Sequence, residues 1–90
     1  MRFDIIRRVT FKTAPEWYAD EECGEKPFTV RVVAHDEYDR INNCEEIGII
    51  NTDNLDSFSR RITFVRDITD ALDVTLHNGA ERLIIIQWEA

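Results

Sequence analysis

The strongest periodic pattern in the chain lies in residues 52–79, which read TDNLDSFSRRITFVRDITDALDVTLHNG. Their apolar side chains recur at alternating steps of three and four, the spacing of one face of an α-helix. With Thr69 completing the series, these residues are Leu55, Phe58, Ile62, Val65, Leu72 and Leu76. Thr52 or Asp53 can cap the start of such a helix, and Asn78-Gly79 can end it. We therefore predict one long helix over about residues 53–78.

The same stretch supports a competing interpretation, a strand followed by a shorter helix. β-Branched residues are frequent between positions 62 and 69 and favour a strand over residues 60–66. Asp67 would then cap a helix over residues 68–77. We favour the single helix because the apolar phase continues through the proposed break. About three heptad-like repeats are too few for a coiled coil.

Alternating side chains predict strands in the rest of the chain. Residues 2–12 place apolar side chains on one face and a mainly basic set on the other, as suits an edge strand. Residues 28–35 and 45–51 are predicted to pair antiparallel across a turn-rich connection, with Phe28, Val30 and Val32 sharing one face. Residues 82–89 are apolar on both faces, which predicts a central strand.

The segment before the second strand carries helix signals of its own. Thr13 can cap a helix, Pro15 is tolerated in a first turn, and Gly24 is a natural stop. We predict either a short helix or an acidic loop at about 14–23. The expected fold class is therefore α+β, with an antiparallel sheet of about four strands packed against the long helix. Residues 1–90 are expected to form a single domain.

Composition excludes some classes of protein. No apolar run approaches the roughly 20 residues that a membrane span needs, so we expect no membrane partner. Without an apolar leader segment, a cytoplasmic location is the expectation. In a reducing compartment, Cys23 and Cys44 are expected to be free thiols.

Charge is unevenly distributed along the chain. Eighteen acidic residues face eleven basic ones, giving a formal net charge of −7. Residues 1–12 carry a net charge of +3, whereas residues 13–26 and 67–90 each carry −4. Net charge bears on the choice of partner rather than on fold. This balance argues against direct nucleic-acid binding and favours a protein partner with a basic surface.

The search for catalytic and metal-binding motifs finds none. The densest group of potential ligands is His35-Asp36-Glu37, which lacks the spacing of a metal site. Asn51, Asp53 and Asp56 resemble a calcium loop, but its central Gly and final Glu are missing. We therefore predict no catalytic residue, no metal, no cofactor and no enzymatic activity.

The leading functional hypothesis is a small acidic module that binds and regulates a macromolecular partner with a basic surface. Inhibitors, immunity proteins and phage anti-defence proteins are the roles meant, with mimicry of nucleic acid as one form. Aromatic anchors within an acidic rim suggest the contact residues. These are Trp17, Tyr18, Asp20, Glu21 and Glu22, followed by Asp36, Glu37 and Asp39.

Two alternatives stay open at this point. The first is a homo-oligomeric structural or accessory subunit, such as a homodimer, joined through the strand at 82–89 or through the heptad-like stripe. The second is a small enzyme or ligand-binding domain that brings Cys44, His35 and Asp36 together in a deep pocket.

Overall fold

The computed structural model describes residues 7–72 and 80–89. In chain order the elements are β1 (Arg8–Thr13), α1 (Pro15–Cys23), β2 (Phe28–Ala34), α2 (His35–Asn42), β3 (Glu46–Asn51), β4 (Ser57–Asp67), a 3-10 turn (Asp70–Leu72) and β5 (Glu81–Trp88). The predictions made for residues 2–6, and for the helix end at 73–79, lie outside the described residues.

The strands form one mixed sheet in the order β1-β3-β4-β5-β2. β1 runs parallel to β3, and the other neighbouring pairs are antiparallel. The prediction of a four-stranded antiparallel sheet is therefore wrong, and so is the predicted pairing of β2 with β3. The sheet curls enough for Arg31 on β2 to donate a 2.9 Å hydrogen bond to the carbonyl oxygen of Lys12 on β1. This contact joins the two outermost described strands.

The predicted long helix is wrong, and a β-bulge explains the misleading pattern. β4 turns Phe58 and Ile62, four residues apart, toward the core. Its pairing with β5 shifts register between Ile62 and Phe64, which reverses the parity of the strand. Val65, three residues after Ile62, therefore faces the core as well. A strand with one bulge thus reproduces the steps of four and three that are typical of a helix.

β4 links the two halves of the sheet. Its first half pairs with β3, where Phe58 lies opposite Ile49. Its second half pairs with β5, where Val65 lies opposite Ile86. The strand half of the competing interpretation, residues 60–66, is therefore what the structure shows. After it, Asp67 accepts a 3.0 Å hydrogen bond from the N–H of Thr69, which turns the chain into the 3-10 segment.

The core lies on the inner face of the curled sheet. Fully buried isoleucines come from the two strands that flank β4, namely Ile47 and Ile49 on β3 and Ile84 and Ile86 on β5. Each contributes about 1.5–3 kcal/mol by leaving water. Three aromatic rings extend this core, with the Tyr18 and Phe58 centroids 5.3 Å apart and the Phe58 and Trp88 centroids 6.2 Å apart.

Two short helices complete the inner face. α1 begins at Pro15 and ends where Gly24 adopts a φ of 88°. Thr13 is buried in β1 and does not cap it, so that predicted cap is wrong. α2 occupies the stretch expected to be a turn-rich connection, because Ile41 is fully buried and Tyr38 packs against the core. Neither helix, nor any other within residues 7–72 and 80–89, is long and apolar enough to cross a membrane.

Candidate functional site

The inner face of α1 is fixed in the protein, so it is closed to a partner. Tyr18 is only 7% exposed and packs on Phe58, and Glu21 is 1% exposed. Arg60 on β4 donates a 3.0 Å hydrogen bond to the carbonyl oxygen of Glu22, which holds the end of the helix against the sheet. Two of the predicted contact residues, Tyr18 and Glu21, therefore lie in the interior.

Glu22 is exposed but already engaged. Its carboxylate accepts the hydroxyl hydrogen of Tyr18, and both burial and this hydrogen bond raise the pKa of the Tyr18 phenol, burial having the larger effect. The Glu22 carboxylate is therefore engaged by a residue of its own helix.

The outer face of α1 presents the remaining predicted residues of this segment. Trp17 is 52% exposed, which is unusual for so large an apolar side chain. Glu16 is exposed and Asp20 half-buried on the same helix. Within the part of the chain that the structure describes, neither carboxylate forms an ion pair. We call Glu16, Trp17 and Asp20 the α1 outer face.

The second predicted acidic set lies on α2. Asp36, Glu37 and Asp39 are all exposed, and Glu37 lies 3.9 Å from Arg40 of the same helix. α1 packs mainly against β3 and also contacts β4 through Tyr18 and Phe58, whereas α2 packs against β2, β4 and β5. The two acidic sets thus belong to helices whose coverage of the sheet overlaps only at β4.

A pocket of about 350 Å³ opens where the end of β1, α1 and the first half of β2 meet. Volumes of this size are within the range of small-molecule sites. Its lining combines charged and aromatic side chains. They include Lys12, Trp17, Glu21, Lys26, Phe28 and Arg31. We call this space the β1–β2 pocket.

A partly buried ion pair forms one side of the β1–β2 pocket. The Nζ atom of Lys26 lies 3.2 Å from Oε1 of Glu21. The same Nζ lies 5.4 Å from the ring centroid of Trp17 and 5.2 Å from that of Phe28. The other carboxylate oxygen, Glu21 Oε2, is buried and has no hydrogen-bond partner among the described residues. A buried carboxylate oxygen without a donor is costly and uncommon.

A half-buried guanidinium forms the other side of the pocket. Arg31 donates hydrogen bonds to two neutral acceptors, Thr29 Oγ1 at 3.0 Å and the Lys12 carbonyl oxygen at 2.9 Å, and its guanidinium carbon lies 5.1 Å from the Phe11 ring centroid. Burial lowers the pKa of Arg31, and the nearby charge of Glu21 partly offsets this effect. No carboxylate among the described residues hydrogen-bonds to the guanidinium.

The proposed catalytic grouping is not assembled. His35 and Asp36 begin α2, whereas Cys44 follows its end. Two cavities are lined by Cys44, and neither is lined by His35 or Asp36. Within residues 7–72 and 80–89 no three His, Cys, Asp or Glu side chains are grouped to hold a metal ion. Cys23 and Cys44 are free thiols.

The outer face of the sheet carries an apolar patch. Val30 and Val32 on β2 are 44% and 51% exposed, and Phe64 on β4 is 43% exposed. β5 lies between them, with Ile85 opposite Val30 and Leu83 opposite Val32. The face of β2 that carries Val30 and Val32 is therefore the outer face of the sheet. Thr29, Arg31 and Val33 face inward.

Sequence reasoning missed the β1–β2 pocket. Lys26 gave no signal of its own, because its aromatic neighbours Trp17 and Phe28 come together only in the fold. Arg31 gave none either, because it alternates with Thr29 on the more polar face of the strand, where a charge is ordinary.

No family model, curated protein or solved structure matches this chain. A proposal for its function therefore rests on the geometry of its own residues.

Proposed function

We propose that this protein is a small acidic binding module that docks onto the basic surface of a macromolecular partner through the α1 outer face. The observation that carries the proposal is the 52% exposure of Trp17 on a helix whose neighbouring carboxylates, Glu16 and Asp20, have no ion pair within the described residues. A large aromatic side chain with a charged rim is the usual composition of an interface anchor.

The net charge of the chain also favours a partner with a basic surface. The chain has a formal net charge of −7, so its long-range field attracts basic partners and repels acidic ones. Such complementarity raises association rates and selects partners more than it raises affinity. The anchor supplies the affinity, and the acids supply the steering.

The predicted α2 residues play a smaller part in this proposal. Asp36, Glu37 and Asp39 are exposed, but they lie on a different helix, which packs mainly against β2, β4 and β5 rather than against β3. Their role as partner contacts stays a prediction. The inhibitory, immunity or phage anti-defence role, nucleic-acid mimicry, the cytoplasmic location and the absence of enzymatic activity also stay predictions.

The experiment compares two charge-matched double variants. Glu16→Gln/Asp20→Asn removes two carboxylates from α1, and Asp36→Asn/Glu37→Gln removes two from α2. The native chain first captures its partner from host extract, and the partner is then purified. Affinity is measured against salt concentration by calorimetry. We expect the α1 variant to bind at least about tenfold more weakly with a shallower salt dependence, and the α2 variant to bind within about twofold of native.

Equal weakening by both variants would show that only net charge matters and would contradict docking through α1. A Trp17→Ser variant with native affinity would exclude the anchor. Capture of partners with acidic surfaces, or of none, would count against the proposal as a whole.

A second candidate function is the homo-oligomeric subunit, favoured by the apolar patch of Val30, Val32 and Phe64. In this version two copies associate through the outer face of β2, β5 and β4. Light scattering of the native chain at high concentration is expected to give a dimer, and Val32→Lys a monomer. Leu55→Lys, which alters a 73% exposed leucine in the turn between β3 and β4, is the control and leaves the dimer intact. A strictly monomeric native chain removes this candidate.

A further inference from the structure

The β1–β2 pocket carries positive charge inside an acidic protein. Three cations, Lys12, Lys26 and Arg31, line it together with one carboxylate, Glu21. The Glu21 carboxylate lies 3.2 Å from Lys26 and matches that charge. Arg31 remains without a hydrogen-bonded carboxylate among the described residues. The local charge is therefore opposite to that of the chain as a whole.

The chemistry of Arg31 specifies an oxyanion. A guanidinium presents a planar set of donors that matches a carboxylate or a phosphate. Here it is half-buried, and its contacts with Thr29, Lys12 and the Phe11 ring orient it. A guanidinium oriented in this way loses little side-chain freedom on binding an anion.

Trp17 and Glu21 specify the rest of the ligand. Trp17 lines the pocket and is half exposed, and Phe28 lines it nearby, so a flat apolar body can rest against aromatic surface. Glu21 lines the same pocket and is 1% exposed, and its Oε2 atom lacks a donor. A ligand hydroxyl or amino group would supply the missing hydrogen bond.

We propose that the β1–β2 pocket binds a small planar organic anion, with its carboxylate or phosphate group on Arg31, its ring against Trp17 and a hydrogen-bond donor toward Glu21. This inference does not depend on the proposed docking of a partner through the α1 outer face. The two proposed sites share only Trp17.

Titration of the full chain by two-dimensional NMR tests the proposal. The probes are benzoate, phenyl phosphate, benzamide as the neutral analogue of benzoate, and acetate as an anion without a ring. A fragment of benzoate's size is expected to bind with a dissociation constant of about 1–10 mM. We expect shifts at the Trp17 indole N–H, the Arg31 Nε–H and the Thr13 amide, with benzamide and acetate at least about fivefold weaker. A preference between benzoate and phenyl phosphate identifies the oxyanion, and either preference supports the proposal.

The donor toward Glu21 has a separate test. 4-Hydroxybenzoate can donate a hydrogen bond from its ring, and 4-methoxybenzoate cannot. We expect the first to bind at least about threefold more tightly. Equal affinity for the two would remove Glu21 from the site.

Variants separate this pocket from nonspecific binding of anions. Arg31→Gln is expected to abolish benzoate binding, and Arg66→Gln, which removes an exposed arginine from the outer face of β4, leaves it unchanged. If Arg31→Gln fails to fold, Trp17→Ala changes an exposed side chain and is expected to weaken benzoate binding at least about fivefold. Native affinity in a folded Arg31→Gln variant overturns the proposal. So do equal binding of benzamide, shifts confined to other residues, or no binding.

Discussion

The Nε atom of Arg82 donates a 2.6 Å hydrogen bond to Oδ2 of Asp67, which joins the last residue of β4 to the second residue of β5. The same guanidinium lies 3.2 Å from Asp70. Burial alone would raise the pKa of Asp67, but the hydrogen bonds from Arg82 and Thr69 outweigh it and hold this pKa below its usual value. The pair therefore couples the stability of the β4–β5 corner to pH.

Acid is expected to weaken this corner. An unfolded aspartate titrates near pH 4, so the stabilisation is complete above that pH and is lost as the pH falls through the lower folded pKa. Asp67→Asn should lower the Tm by several degrees at pH 7 and flatten the decline in stability between about pH 4 and pH 2. Thermal unfolding monitored by circular dichroism measures both effects. Asp36→Asn, which removes an exposed carboxylate of α2, is the control and keeps the native decline. An Asp67→Asn profile parallel to the native one would contradict this assignment.

Alkali is expected to act through Tyr18, whose pKa is raised by burial and by its hydrogen bond to Glu22. An unfolded tyrosine ionises near pH 10, so the protection given by the neutral phenol is complete below that pH and is lost as the pH rises through the higher folded pKa. Tyr18→Phe should cost about 1 kcal/mol at pH 7 and flatten the loss of stability above pH 10. Denaturant unfolding at several pH values measures both.

Tyr38 provides the matched control for Tyr18. It is half-buried on α2 and is the only other tyrosine in the chain. Tyr38→Phe should retain the alkaline loss of stability that Tyr18 causes. If Tyr38→Phe instead flattened that loss and Tyr18→Phe did not, the assignment to Tyr18 would be wrong.

Leu55 adopts a φ of 64° in the turn between β3 and β4, a conformation that is unfavourable for a leucine. Its side chain is 73% exposed, so shortening it sacrifices little packing. Leu55→Gly and Leu55→Asn should raise the free energy of unfolding by about 0.5–1 kcal/mol, because both residues tolerate this conformation. Leu55→Ala keeps the Cβ atom and should show no gain. Equal stabilisation by all three would point to hydrophobic exposure rather than to the backbone.

The bulge in β4 sets which residues face the core after Ile62. Thr63 is the extra residue of the bulge, so deleting it should restore an uninterrupted alternation that keeps Val65 and Asp67 on their present side of the sheet. Deleting Thr63 and Phe64 together should instead turn Val65 and Asp67 to the opposite side. We expect the double deletion to abolish cooperative unfolding and the single deletion to retain it. Calorimetry distinguishes the two. A cooperatively folded double-deletion variant would show that the sheet tolerates either parity.

Local signals in the sequence were sufficient for several elements. The alternation of Val9 and Phe11 against Arg8 and Lys12 matches the inner and outer faces of β1. Gly24 marks the end of α1, and the two-faced apolar run of β5 does lie between two other strands. These features depend on side chains that are close together in the sequence.

The strand order, the bulge and the pocket depend on contacts between residues that are distant in the sequence, so no local pattern predicts them. The partner of β2 is β5 rather than β3, and nothing within residues 28–34 distinguishes the two. The bulge after Ile62 gave a strand the spacing of a helix. The residues that line the β1–β2 pocket come from β1, α1, β2 and the connection before β2. Glu21 was predicted to be a surface residue because most of its neighbours in the sequence are charged, but it is buried.

The pairing of β2 with β5 has a consequence for the synthesis of the chain. β2 leaves the ribosome early, yet the strand that hydrogen-bonds to it ends at Trp88. Until then, residues 28–34 present an apolar strand without its neighbour, and long-range pairing of this kind folds slowly. A fragment ending at residue 72 would have β1, β3 and β4 but no strand to hold β2. The nascent protein is therefore expected to be exposed to aggregation until β5 has left the ribosome, and to complete its sheet only then.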